Sequence, residues 1–210
     1  MDPQLVQAIV LVIGAYLVGS IPMGVLVARL TGGVDPRTVG SGRTGGTNAL
    51  RAMGPGRGLA VGLLDVAKGA VPILVATWAG ASPLVGALTG LAALTGAWKS
   101  VFLHFHGGRG VATGVGGMAA VSIPVVLIAA PVFFAVIAIT RYVSLGSLLG
   151  TAAGALVSVA FVALGWLDPA WLVYTIPGVA LIWYAHRDNI ARLRAGTERR
   201  FDPKERASRA

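Results

Sequence analysis

The chain has 210 residues, 55% of them hydrophobic and only 12% charged, with a mean hydropathy of +0.77. A soluble domain carries about a quarter charged residues, so a soluble globular fold is excluded, and the absence of cysteine excludes disulfide frameworks and thiolate metal sites. The net charge of +9 comes from Lys and Arg placed in short segments between apolar runs and in the tail; that placement reads as membrane orientation and headgroup contact, not nucleic-acid binding, and no base-reading motif appears.

Taken in order, the chain predicts an all-α polytopic membrane bundle of about seven transmembrane helices. Met1-Asp2-Pro3-Gln4 has no basic n-region, and the apolar run behind it is too long for a cleaved signal peptide. The first span runs from about Leu5 to Arg29, with a kink expected where Pro22 removes a backbone donor. A Gly-rich loop follows, about Thr31 to Gly58. The second span is about Leu59 to Trp78 and the third about Pro83 to Leu103, leading to a polar segment, His104 to Gly110. As one helix, Val111 to Thr140 would be about 45 Å long, well beyond a hydrocarbon core of about 30 Å. Arg109 and Arg141 flank it and belong on one side. We therefore expect a hairpin broken near Ser122-Ile123-Pro124. Two further spans are about Leu145 to Trp166 and Trp171 to Ala185.

Seven crossings place every cationic cluster on one side. Arg37, Arg43, Arg51 and Arg57 lie in the first loop, Arg109 and Arg141 flank the hairpin, and the tail carries Arg187 through Arg209. The turns at Gly80-Ala81-Ser82 and Gly165-Trp166-Leu167-Asp168 have no Lys or Arg. The expected orientation is N-terminus outside and C-terminus cytoplasmic. Trp98, Trp166, Trp171 and Trp183 fall near span ends, as aromatic belts do. The expectation for domains is one unit, residues 1–210, with about 196–210 a flexible cytoplasmic tail.

Polar chemistry is confined to a few segments. The first loop contains Gly40-Ser41-Gly42-Arg43-Thr44-Gly45-Gly46-Thr47-Asn48 and then Arg51. Small residues let backbone amides approach a ligand, Arg grips a phosphate through parallel bonds, and a helix start favours an anion. The competing reading is a flexible basic loop. The second loop, Gly107-Gly108-Arg109-Gly110 with Thr113, repeats the pattern. Two such cradles suggest two anionic groups, or one large one. Asp65 and Lys68 share one helical face within the second span, as a structural pair or as a functional group in the membrane. Arg141-Tyr142-Val143-Ser144 stands at the mouth of one span, and His186-Arg187-Asp188-Asn189 follows the last.

In this order, with Gly19-Ser20-Ile21-Pro22, Leu64-Asp65-Val66-Ala67-Lys68-Gly69 and Ala195-Gly196-Thr197-Glu198, these segments resemble the PlsY family of bacterial membrane acyltransferases across nearly the whole chain. The resemblance implies transfer of a fatty acyl group from acyl phosphate to the 1-hydroxyl of glycerol 3-phosphate, giving lysophosphatidic acid and phosphate at the cytoplasmic face of the cell membrane. With no cysteine and three histidines, His104, His106 and His186, no metal is expected, nor any cofactor, and the expected functional unit is a monomer. Ser41, Arg51, Ser144 and His186 match the family's catalytic positions. Gly40, Arg43, Thr47, Asn48, Lys68, Gly107, Gly108, Arg109, Gly110, Thr113, Arg141 and Asn189 are the expected binding residues. The family usually carries Asn where Arg43 stands, Lys where Arg109 stands, and His where Ala97 stands. The proton acceptor is either His186 or the acceptor's own phosphate. The alternatives are a transporter of an anionic phosphorylated metabolite, against which the donor-poor outer turns argue, and a diverged paralogue with another acceptor.

Overall fold

The computed structural model describes residues 2–201, and within them every regular element is helical. The first helix, α1 (Pro3–Ser20), starts with Pro3 in its first turn and the Asp2 carboxylate accepting from the Gln4 amide at 2.9 Å. It does not continue to Arg29 as a kinked span. Pro22 offers no amide to the preceding turn, so the chain breaks at Ile21-Pro22 and a separate short helix, α2 (Met23–Leu30), begins. The loop that follows holds more structure than its glycine content suggests. It contains a 3-10 turn, Pro36–Thr38, and a two-turn helix, α3 (Gly46–Met53). Gly54, at φ +86°, turns the chain straight into α4 (Pro55–Trp78).

Helix α5 (Pro83–Trp98) is shorter than the expected third span, and a 3-10 turn at Val101–Leu103 completes that stretch. The expected break at Ser122 separates α6 (Val111–Val121) from α7 (Ile123–Thr140). Only α6 is short; α7 is a full-length apolar helix. Helices α8 (Val143–Ala163), α9 (Leu172–Ala185) and α10 (Arg187–Arg194) complete the described chain.

Among the described residues, five helical stretches are long and apolar enough to cross a membrane: α1, α4, α5 with its following turn, α7 and α8. Helix α6 and the stretch Pro169–Ala185 are shorter apolar helices. The outside of the bundle is greasier than its inside. Only 11% of the α7 window is buried, and Ile139 and Phe134 stand open. A water-soluble monomer does not present such a surface.

Because lipid is as apolar as Leu, the helices are held by close packing of small residues. Helix α1 packs on α5, α4 on α6, α7 on α8, and α9 lies against both α5 and α8. At the α1–α5 crossing a Cβ on Gly96 would lie 2.2 Å from the Tyr16 carbonyl oxygen, so only glycine lets the backbones meet. The same contact carries polar pins, with Tyr16 donating to the Lys99 carbonyl at 2.7 Å and Ser100 to the Ser20 carbonyl at 2.5 Å.

The expected tail begins at 196, yet residues 196–201 fold back on the bundle. The Phe201 amide donates to the Arg141 carbonyl at 2.6 Å, and Arg141 Nε donates to the Phe201 carbonyl at 3.1 Å. The rest of the expected tail, with Lys204, Arg206 and Arg209, lies outside the described residues.

Candidate active site

The first loop is shaped by one buried side chain. Asn48, in the first turn of α3, donates through Nδ2 to the carbonyls of Pro36, Arg43 and Val39 at 2.6, 2.8 and 3.1 Å, and its Oδ1 accepts the Ser41 amide at 3.1 Å. Its amide is therefore fully engaged with the loop backbone, and its direct effect is to hold Ser41 and Arg43 in place. Gly40 sits at φ +57°, where a Cβ would meet Asn48 Oδ1 at 2.3 Å. Arg43 Nη1 then reaches across to the Gly107 carbonyl at 3.2 Å, tying the two Gly-rich loops together.

The second loop runs back along the end of α5. The Gly107 and Gly108 amides donate to the Trp98 and Ala97 carbonyls at 3.0 and 2.9 Å. Two amides that the sequence offers to an anion are thus already engaged, and Gly107 does not line the cavity described below. Gly110, at φ +77°, opens α6 with no side-chain cap. Beside it Arg109 has a buried Nε with no partner among the described residues. Burial, followed by the nearby Arg43 guanidinium, lowers the Arg109 pKa to about 10, which still leaves it charged at neutral pH.

The C-terminal segment supplies the third wall. His186, at the end of α9, is almost fully buried, and its Nδ1–H donates to the Ile182 carbonyl at 2.8 Å. Burial outweighs that bond and lowers the His186 pKa to about 4, so the ring is neutral at pH 7, with Nε2 as an acceptor. Glu198 ties three elements together. Its Oε1 accepts from Ser144 Oγ at 2.7 Å and from Asn189 Nδ2 at 2.5 Å, and its Oε2 accepts from Arg192 Nε at 2.7 Å. Burial pushes the carboxyl pKa up, but the donors Asn189, Ser144 and Arg192 together outweigh it and hold it below the usual value. Asn189 Oδ1 is left buried and without a partner among the described residues.

All three walls face one cavity of about 1000 Å³, at the upper end of the ~300–1,000 Å³ usual for ligand pockets. Its polar end holds Ser41, Arg43, Arg51, Arg109, His186 and Asn189; its body is apolar, lined by α6, α7, α8 and α9. Gly40, Thr47, Asn48, Gly108, Gly110, Thr113 and Ser144 also line it. Arg141 does not: it caps α7 at φ +63°, exposed, and engages Phe201. Lys68 lines the cavity too, but its ammonium is held by Asp65 at 2.7 Å and by the Ile21 carbonyl at 3.1 Å, at the break between α1 and α2. An acidic organiser, Glu198, and its partner Arg192 were not among the expected site residues. The signal was faint: a lone acid between Thr197 and Arg199 in a basic segment.

Known proteins share the sequence and the fold of this chain. A family model described as glycerol-3-phosphate acyltransferase matches residues 9–196. A glycerol-3-phosphate acyltransferase of Thermus thermophilus is 48% identical over 188 residues, covering 89% of this chain and 92% of the relative. One of Geobacter sulfurreducens is 45% identical over 198 residues, covering 94% and 99%. Two crystal structures of the integral membrane glycerol 3-phosphate acyltransferase PlsY (YgiH) are similar in fold, each with a TM-score of 0.85. Its glycerol 3-phosphate form is 42% identical and covers 93% of this chain and 96% of that one. Its lysophosphatidic acid form is 41% identical and covers 95% and 97%.

Proposed function

The chain belongs to the PlsY family of integral membrane glycerol-3-phosphate acyltransferases, which make lysophosphatidic acid, and from that premise we propose that its acyl donor is acyl phosphate and its acceptor atom the 1-hydroxyl of glycerol 3-phosphate. The observation that carries this reading is one cavity that joins a cationic end to a long apolar body. Arginines suit the phosphates of both substrates, and the apolar body suits a fatty chain.

In the reaction the hydroxyl oxygen attacks the acyl carbonyl carbon. A C–O ester bond forms, the mixed-anhydride C–O bond to phosphate breaks, and inorganic phosphate leaves with the bonding pair. Because the donor is already activated, no covalent enzyme intermediate is needed. Arg109, at the start of α6, is assigned to the acyl phosphate, with Gly108, Gly110 and Thr113 beside it. Arg51 and Asn189 are assigned to glycerol 3-phosphate, with the unpartnered Asn189 Oδ1 accepting from it. Asn48 and Gly40 act by holding the first loop. Cations near the reacting carbon stabilise the oxyanion and the departing phosphate.

The hydroxyl proton goes to the acceptor's own phosphate. A phosphate monoester has its second pKa near ~6, whereas burial holds His186 at about 4, so the phosphate is the stronger base. His186 offers its neutral Nε2 as an acceptor that orients the glycerol.

We place this site on the cytoplasmic face of the cell membrane, with seven crossings, α6 and α9 counted, and a functional monomer. The basic segments that converge on the cavity support that side. Purified protein in liposomes, given palmitoyl phosphate and labelled glycerol 3-phosphate, is expected to form lysophosphatidic acid with or without a chelator. No turnover of acyl phosphate alongside robust turnover of acyl-CoA would overturn the donor assignment.

A further inference from the structure

The cavity has a rigid floor. Of the residues that line the cavity on α6, α7 and α9, Met118, Val125 and Tyr174 lie farthest along their helices from the polar end, and they form a packed core cluster with Ala87. Tyr174 is held in place from two sides. Its hydroxyl donates to the Gly114 carbonyl at 2.8 Å. Its ring fills a slot that glycines keep open: a Cβ on Gly90 would lie 3.0 Å from the ring, and one on Gly117 would lie 2.3 Å from the hydroxyl. Along α9, Tyr174 is about 18 Å below His186 at 1.5 Å per residue. That is more than half the ~30 Å hydrocarbon core of a bilayer.

We infer that the floor formed by Met118, Val125 and Tyr174 measures the acyl chain and sets the chain length this enzyme prefers. The inference rests on the acyl-phosphate reading. A chain whose phosphate is gripped by arginines at the polar end has its terminal methyl at a fixed depth. One methylene too many presses on close-packed side chains, and one too few leaves an empty volume. A hydrophobic pocket distinguishes such a misfit by about tenfold or more. The competing arrangement is visible in the same cavity. Leu59, Leu63 and Phe134 line it yet face outward, so a chain that slipped out sideways there would end in lipid and its length would go unread.

The test is competition between lauroyl, myristoyl, palmitoyl and stearoyl phosphates in one reaction, with product ratios measured for the unmodified enzyme and two variants. Ratios within one preparation do not depend on the fraction of protein that is folded. Met118→Ala lowers the floor and is expected to shift the stearoyl-to-myristoyl product ratio at least about tenfold toward the longer chain. Ala155→Leu narrows the body from α8 and is expected to shift it as far toward the shorter chain. Ratios unmoved in both variants, or moved the same way in both, overturn the floor's role. An unmodified enzyme inactive with every acyl phosphate overturns the donor reading and the inference with it.

Discussion

At the scale of single residues the cavity separates groups that shape it from groups that face a ligand. Gly107 and Gly108 are neighbours with opposite surroundings. A Cβ on Gly107 would lie 2.4 Å from the Ala97 carbonyl oxygen, whereas one on Gly108 meets nothing nearer than 3.7 Å. Gly107→Ala is therefore expected to lower the melting temperature in detergent. Gly108→Ala should leave melting unchanged and cut activity by about tenfold or more through crowding of the bound phosphate. Equal melting for both would show that the loop yields. His186 provides a second residue-level test. If its role is orientation, His186→Ala should raise the Michaelis constant for glycerol 3-phosphate and largely preserve the rate at saturation. A fall in maximal rate of about a hundredfold with unchanged acceptor affinity is the outcome expected of a lost general base and would reassign the proton to His186. The same residue predicts a pH dependence of stability. Its folded pKa, about 4, lies below the ordinary 6.5. Between those values the unfolded chain binds a proton that the folded one does not, so stability falls as pH drops through that window, by up to about 3 kcal/mol. Melting curves of His186→Gln should be flatter over that range.

At the scale of elements, the last described segment acts as a strap. Glu198 joins α8 through Ser144 and α10 through Asn189 and Arg192, and Phe201 joins the α7–α8 corner through Arg141. The strap holds the Asn189 amide by its Nδ2 and leaves Oδ1 for the cavity. Loss of a charge-assisted bond costs about 1.5–3 kcal/mol, or roughly tenfold to hundredfold at 1.4 kcal/mol per decade. Glu198→Gln is expected to raise the Michaelis constant for glycerol 3-phosphate within that range while that for acyl phosphate barely moves. Equal loss on both substrates would mean that the strap supports the whole cavity and not Asn189 in particular.

At the scale of the whole molecule, the face that the cationic segments occupy fixes the side on which the cavity opens. With seven crossings, a cysteine at Ser82, in the exposed turn before α5, should react with an impermeant reagent in intact cells. One at Thr38, exposed in the first loop, should react only after permeabilisation. Labelling of Thr38→Cys in intact cells would put the proposed site on the wrong side of the membrane.

The class of molecule and the segments that matter are legible in the chain alone. Composition and run length mark apolar helices locally, and the Gly- and Arg-bearing loops stand out because little else between the spans is polar. The break at Ser122 was readable because a single helix overshoots the bilayer. The first span ends short of its expected length because Pro22 is equally compatible with a kink and a full stop, and packing of α2 against the loop chose the stop: a Cβ on Gly24 would lie 2.1 Å from the Thr44 carbonyl oxygen. Which polar groups remain available depends on how the helices pack. Asn48 turns inward to its loop, Lys68 is held by Asp65 and Ile21, and Glu198 meets Ser144 across 54 residues. Hydrophobic patterning is a property of neighbours in the chain, whereas a hydrogen bond is satisfied by whichever group the packed helices bring within about 3 Å. The floor of the cavity is of the same kind, since Met118, Val125 and Tyr174 read in the sequence as ordinary helix interior and become a boundary only where three helices meet.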